Sequence, residues 1–289
     1  MKDRLVLLGT KGGPSLRKGG PNPSSSLLQL NGKTSVIDCG IGVSRALVEA
    51  DVALTDIDAI FITHLHSDHL LELGPLIYTA WTSGIVDSLS VYGPEGIEDY
   101  WTNFLQAMSF DHSIRTVDDK RQPLKDLITV VTYGEGEIVT DDNITVSAFR
   151  VDHPPVEQCY ALRFESNDIS VVFSADTCFH PPLADFAQGA DILVHEAMLS
   201  AGIDALVERI KGAPGLRAHL IASHTMVEDV GRIATLANAG QLVLNHLVPA
   251  DDPTFSDKDW LDAIKDTWSG IVTVGKDGLV IPLTRAASL

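Results

Sequence analysis

Apolar residues along this chain fall either into short continuous runs or at helical spacing, and the switches between the two mark out its elements. Short runs rich in Val, Ile, Leu and Phe, fenced by Gly, Pro, Asn or Asp, predict strands. Arg4 to Leu8 is the first. LLQLNGKTSVIDCG predicts a hairpin turned at Asn31-Gly32, a pair suited to the positive φ of a tight turn, with its second arm ending at Asp38-Cys39-Gly40. Another apolar run ends at Thr63, and SLSVYG, LITVVTY, NITVSAFRV, CYALRFE, ISVVFSA, ADILVHEA, HLIAS, QLVLNH, GIVTV and GLVIPL follow. Helical spacing appears in SRALVEA, in LLELGPLIYTAW, and in PEGIEDYWTNFLQAM with Pro94 at its first position. It returns in MVEDVGRIATLANAG, ended by Gly240, and in SDKDWLDAIKDTW, capped by Ser256. Ser109 to Leu127 is polar and weakly periodic and reads as a loop. Strands interspersed with helices in both halves predict an α/β fold, a four-layer αββα sandwich of two mixed sheets between helices. Its length is that of one domain, 1–289.

Composition narrows the function. Apolar residues make up 45%, enough for a sizeable core, while 21 Lys and Arg face 39 Asp and Glu for a formal charge of −18. Such a field opposes long-range capture of a phosphate backbone. Met1 to Gly9 holds too few apolar residues for a signal peptide, and no run reaches the length of a membrane span. Cys39, Cys159 and Cys178 lack paired spacing, which points to free thiols and a cytoplasmic setting. The Gly/Pro/Ser-rich loop from Gly9 to Ser26 has neither a dinucleotide nor a P-loop pattern.

The chemistry concentrates in Thr63–Leu70, THLHSDHL. His64, His66, Asp68 and His69 fall within six residues, between a strand and a helix, where a fixed scaffold can aim them at one point. A His-rich surface loop is the bland alternative, but three of the chain's ten histidines lie here. Imidazole and carboxylate suit zinc, manganese or iron, and the lack of thiolate argues against a structural zinc site. Further His and Asp residues stand at later strand ends: His153, Asp176, His195, His224 and His246. Each alone is more simply a hydrogen-bonded structural residue. Together with the cluster they outline a site at the strand ends of an α/β sheet.

These residues carry a resemblance. H-x-H-x-D-H, with VIDCGIG, VDHPPVEQCYAL, SADT, ILVHEAML, ASHT and LNHLVP in that order, resembles the metallo-β-lactamase superfamily, and within it the branch of ribonuclease Z and the arylsulfatase-like hydrolases. The resemblance implies two divalent metal ions, zinc first, with manganese or iron as alternatives. His64, His66 and His153 would hold one, Asp68, His69 and His246 the other, and Asp176 would bridge them. A water between two such cations loses a proton near neutral pH and becomes the nucleophile. Asp68 would also orient it, and His224 would protonate the leaving group. His195, Glu196 and Asp38 would support the ligands from behind, and Cys178 and His180 would pack nearby. The branch commonly forms homodimers, although no residue pattern here marks one.

The tRNA-processing members carry a long arm between the blocks of His153 and Asp176, and here only a two-strand connection fits. With the negative charge, that favours a small-molecule ester as substrate, namely a phosphodiester, aryl sulfate, lactone or carboxyl ester. tRNA 3′-end processing is the alternative, and a non-catalytic metal-binding scaffold the third reading. The loops Lys11–Ser26 and Ser109–Leu127 are expected at the pocket mouth.

Overall fold

In the computed structural model, which describes residues 3–141, 144–166 and 169–283, fourteen strands form two seven-stranded sheets. The first half of the chain supplies β1 (Arg4–Gly9), β2 (Ser25–Leu30), β3 (Lys33–Ile37), β4 (Ala59–Phe61), β5 (Leu89–Gly93) and β6 (Ile128–Thr132). The second supplies β7 (Gly136–Thr140), β8 (Thr145–Arg150), β9 (Tyr160–Glu165), β10 (Ser170–Phe173), β11 (Ile192–Met198), β12 (Gln241–Val248) and β13 (Ile271–Val274). β14 (Leu279–Pro282) then crosses back to pair with β1. The sheet orders are β14-β1-β2-β3-β4-β5-β6 and β13-β12-β11-β10-β9-β8-β7. Each sheet is antiparallel at one side and parallel at the other. The expected first residue of β8, Asn143, lies outside the described residues.

Alternation along the strands sorts three apolar layers. Leu5, Leu7, Leu28, Phe61, Leu162, Phe164, Val171 and Val243 fill the space between the sheets, with Phe61 and Phe164 edge to face at 5.1 Å. The opposite face of the first sheet packs under α1 (Val43–Glu49), α3 (Leu73–Ser83), α4 (Ile97–Ala107) and the one-turn α6 (Leu124–Leu127). The four-residue α2 (Ser67–Leu70) lies between α1 and α3, and α5 (Ser109–Asp118) follows α4. The outer face of the second sheet packs under α7 (Pro182–Phe186), α10 (Val227–Leu236) and α11 (Asp257–Ile264). α8 (Ile203–Arg209) and α9 (Leu216–Ser223) form a smaller cluster with Met198 and Val248. The fold is the expected four-layer sandwich.

Local signals explain both agreements and departures. Asn31 and Gly32 have φ of 49° and 80°, the paired positive values of a tight hairpin turn. Ser256 caps α11 in a reciprocal box with Asp259. The helix expected from Pro94 begins at Ile97, because Gly96 takes φ 100° and the residues before it close a separate turn. α10 ends at Leu236 rather than Gly240, since Asn238 already takes the left-handed conformation that stops a helix. Ser109–Leu127 contains α5 and α6 instead of a loop. α5 buries no residue, so its Phe110, Ile114 and Val117 face solvent, and burial gave no signal to read. β7 escaped notice as an exposed edge strand. HLIAS is the last part of α9, with Leu216 and Leu220 four apart and packed around Ile203 and Met198.

Candidate active site

The expected cluster converges at one end of the two sheets. β4 delivers Thr63–His66, and α2 turns Asp68 and His69 inward. The loop after β8 brings His153, the loop after β10 brings Asp176, and β12 brings His246. Asp38, Ala175 and His246 have positive φ of 61°, 56° and 42°. Such backbone costs of order 1–3 kcal/mol each in non-glycine residues. At His246 the strain accompanies a bulge: Asn245 pairs with Glu196 and Leu247 with Ala197, leaving His246 without a place in the ladder. It is therefore not at the strand end.

Two groups of atoms face each other across one carboxylate. His64, His66, His153 and Asp176 form one, and Asp68, His69, His246 and Asp176 the other, each within 4.8 Å overall. Asp176 Oδ2 lies 3.7 Å from His64 Nε2, 3.8 Å from His153 Nε2, 3.3 Å from His69 Nε2 and 3.1 Å from His246 Nε2. His153 Nε2 lies 3.2 Å from His66 Nδ1, and Asp68 Oδ2 lies 3.6 Å from His69 Nε2 and 3.3 Å from His246 Nε2. Donors about 2.0–2.2 Å from a tetrahedral zinc are spaced roughly 3.3 Å apart, so these separations match the edges of such polyhedra. The Nε2 atoms of His64 and His69 are enclosed without a hydrogen-bond partner, as expected of donors that await a cation. The arrangement could hold metal ions.

Charge favours the same conclusion. Burial opposes protonation of His69 and His246, yet nearby carboxylates prevail. Asp176, Asp38 and Asp68 hold the His69 imidazolium well above the usual range, and Asp176 and Asp68 push His246 up to about 10. Burial, with His69 beside it, drives His64 well below its usual value. Burial would raise the Asp176 carboxyl, but His246 and His69 hold it far below the carboxylate range. The negative field that draws protons onto two buried imidazoles would equally favour a divalent cation.

A further set of residues fixes the rings. Asp38 Oδ2 lies 2.7 Å from His69 Nδ1, and its carboxylate also accepts from the Thr63 amide and hydroxyl. The Ser223 carbonyl accepts from His153 Nδ1 at 2.8 Å, and Thr63 Oγ1 is 3.1 Å from His64 Nδ1. Asp68 Oδ2 accepts from the Gly13 amide at 2.8 Å. Glu196 behaves differently from expectation: its carboxylate meets His224 Nδ1 at 2.9 and 3.0 Å, and stands 4.0 Å from His246 Nδ1. Burial lowers the His224 pKa, but Glu196 reverses this and raises it above the ordinary value. His195 turns away, bonding the Glu196 carbonyl.

His66, Asp68, Asp176, His224 and His246 all face a cavity of about 370 Å³. Lys11–Ser15 forms one wall, and Leu206, Ile210, Leu216, His219 and Leu220 from the α8–α9 segment form another. The sequence reading missed that second wall and His219, although ALVERI and GLRAHLIA carry apolar spacing that could have revealed it. Ser109–Leu127 contributes nothing to the cavity. Cys178 and His180 lie apart from it: Cys178 Sγ is 3.5 Å from Asp152 Oδ2, and His180 lines a separate groove.

Comparison with known proteins gives a consistent picture. Residues 4–224 match the family described as anti-Pycsar protein Apyc1. Ribonuclease Z of Mycolicibacterium gilvum is 32% identical over 280 residues, covering 94% of this chain and 93% of that protein. The metallo-β-lactamase fold protein YhfI of Bacillus subtilis superposes with TM-score 0.70 at 23% identity, covering 97% of this chain and 99% of that one. The short form of human tRNase Z superposes with TM-score 0.69 at 21% identity, with the same coverage, and at that identity the likeness concerns the fold.

Proposed function

Because this chain belongs to the ribonuclease Z branch of the metallo-β-lactamase superfamily, and to the family described as anti-Pycsar protein Apyc1, and is a metal-dependent hydrolase, we propose that it cleaves a phosphodiester bond in RNA. Sequence reasoning ranks a small ester first; the curated ribonuclease Z relatives favour the reverse order. They also weaken the argument from the missing arm. One of them aligns over 93% of its own length with this chain, so a chain of these proportions falls within the range of that enzyme.

The observation that carries the reading is the pairing of two histidine-rich ligand groups around Asp176 with a carboxylate-backed histidine on the same cavity. His64, His66 and His153 would hold one divalent ion and Asp68, His69 and His246 the other. Two bound cations supply an acidified water and neutralise charge on the phosphate. The chain's own residues do the rest. Asp68, fixed by the Gly13 amide, holds a carboxylate where it can orient the incoming water. His224 spends Nδ1 on Glu196, so Nε2 is its free nitrogen toward the cavity. With its protonated form favoured, it can give a proton to the departing oxygen.

A small phosphodiester is the second reading. The apolar wall of Leu206, Ile210, Leu216 and Leu220 favours it, enclosing a volume suited to one organic group. The deciding experiment compares initial rates of zinc- and manganese-loaded protein on a precursor tRNA and on a bis-aryl phosphate, each with and without chelator. Chelator-sensitive cleavage of the precursor supports the first reading, and turnover confined to the aryl phosphate supports the second. Full activity in chelated protein would overturn both.

A further inference from the structure

His219 has no part in the reaction as described, yet it shares the cavity. Its ring centre lies 6.3 Å from His153, 6.4 Å from His66 and 6.0 Å from His224. It therefore stands beside one candidate ligand group and beside His224, its ring edge to face with each. α9 is anchored at that point, because the Ser223 carbonyl holds His153 Nδ1.

The hydrogen bonds of Ser223 determine which nitrogen His219 presents. Ser223 Oγ lies 2.5 Å from the Pro154 carbonyl oxygen and 3.2 Å from His219 Nδ1. A hydroxyl has one proton, and a carbonyl oxygen can only accept. The proton therefore goes to Pro154, and in the second contact the ring must donate from Nδ1. With Nδ1 protonated, the neutral ring carries its lone pair on Nε2.

A lone pair repels phosphate oxygens and calls for a donor. In a nucleic acid the donor nearest a backbone phosphorus is a ribose hydroxyl, since base amino groups lie beyond the sugar, and the 2′-hydroxyl is the group that distinguishes RNA from DNA. We propose that His219 Nε2 accepts a hydrogen bond from the 2′-hydroxyl beside the scissile phosphodiester, making His219 a specificity residue for ribonucleotide substrates. The inference rests on the phosphodiester reading above.

The test uses the metal-loaded full chain and two oligonucleotides that differ by a single 2′-deoxy substitution at the cleaved nucleotide. Wild-type protein should prefer the ribo form in kcat/KM by about tenfold, the order expected for one hydrogen bond. His219→Phe should bring the ratio close to one, whereas His219→Gln, whose amide oxygen accepts, should keep most of it. His219→Lys, a donor only, should lose it as well and serves if the Phe variant does not fold. Metal content and far-ultraviolet circular dichroism should match wild type in each variant compared. Cleavage of both oligonucleotides at equal rates by wild type, or a wild-type ratio in both the Phe and Lys variants, would overturn the inference and leave the phosphodiesterase reading standing. Cleavage of neither would overturn the inference together with the RNA reading.

Discussion

Glu196 Oε2 lies 2.9 Å from His224 Nδ1, both buried, at a point where β11 and the end of α9 meet. The carboxylate also accepts from the Thr177 amide at 2.6 Å, so its position is fixed independently of the histidine. In the reading proposed above, His224 is a proton donor whose orientation and charge are set by one residue.

Glu196→Gln should therefore lower kcat by about 10²-fold, the lower end of what a positioned acid contributes. Burial alone depresses the His224 pKa, and Glu196 is what raises it. A donor works in its protonated form, so activity falls as pH rises through the His224 value. Without the Glu196 charge that value drops, and the alkaline limb of the pH–rate profile should move to lower pH. A limb that stays in place would show that another group sets it.

Prolonged dialysis against a chelator should abolish hydrolysis, and readdition of zinc or manganese should restore it. Asp176→Ala removes the one carboxylate common to both ligand groups, so elemental analysis should find both ions depleted in that variant. Retention of two ions per chain would disprove the shared-carboxylate arrangement.

Asp38→Asn leaves the fold of β3 but weakens the partner of His69 Nδ1, 2.7 Å away. Loss of such a carboxylate behind an imidazole typically costs about 10- to 100-fold in metal affinity. Competition with a chromogenic chelator measures it directly.

Gly12→Ala should disable the site without unfolding the protein. A Cβ there would stand 2.8 Å from His246 Cε1 and 2.5 Å from Val248 Cγ2, so either that ring or the loop carrying Gly12 has to move. A displacement of that size at a reacting centre costs on the order of 10²-fold in rate. The check is kcat beside a thermal unfolding curve. A normal rate would mean that the Gly9–Ser26 loop yields instead of the histidine.

The strands and the ligand cluster were legible because each leaves a local mark. Short runs rich in Leu, Ile, Val or Phe mark β2, β9 and β11 whatever they pack against, and THLHSDHL puts four candidate donors in one short stretch. His153, Asp176 and His246 were legible as strand-end candidates beside that cluster, and their assignment to two ligand groups needed the resemblance. The pairing of Glu196 with His224 was not legible: the two come from different elements, and only packing brings them together. His219 was hidden for the same reason, its role depending on a hydroxyl proton committed to a carbonyl far away in sequence. α5 failed on other grounds, since its apolar side has no partner among the described residues.

The bulge at His246 separates two requirements usually met by the same residues. On either side of it the strand keeps its alternation, Val243 turned to the space between the sheets and Leu244 and Leu247 to the helices, as if His246 were not there. Excising that one residue would leave a strand with every remaining side chain on its proper face. Folding and the proposed chemistry thus fall on separate positions of β12: the flanking residues serve the sheet, and His246, carried on a strained backbone, serves the candidate site.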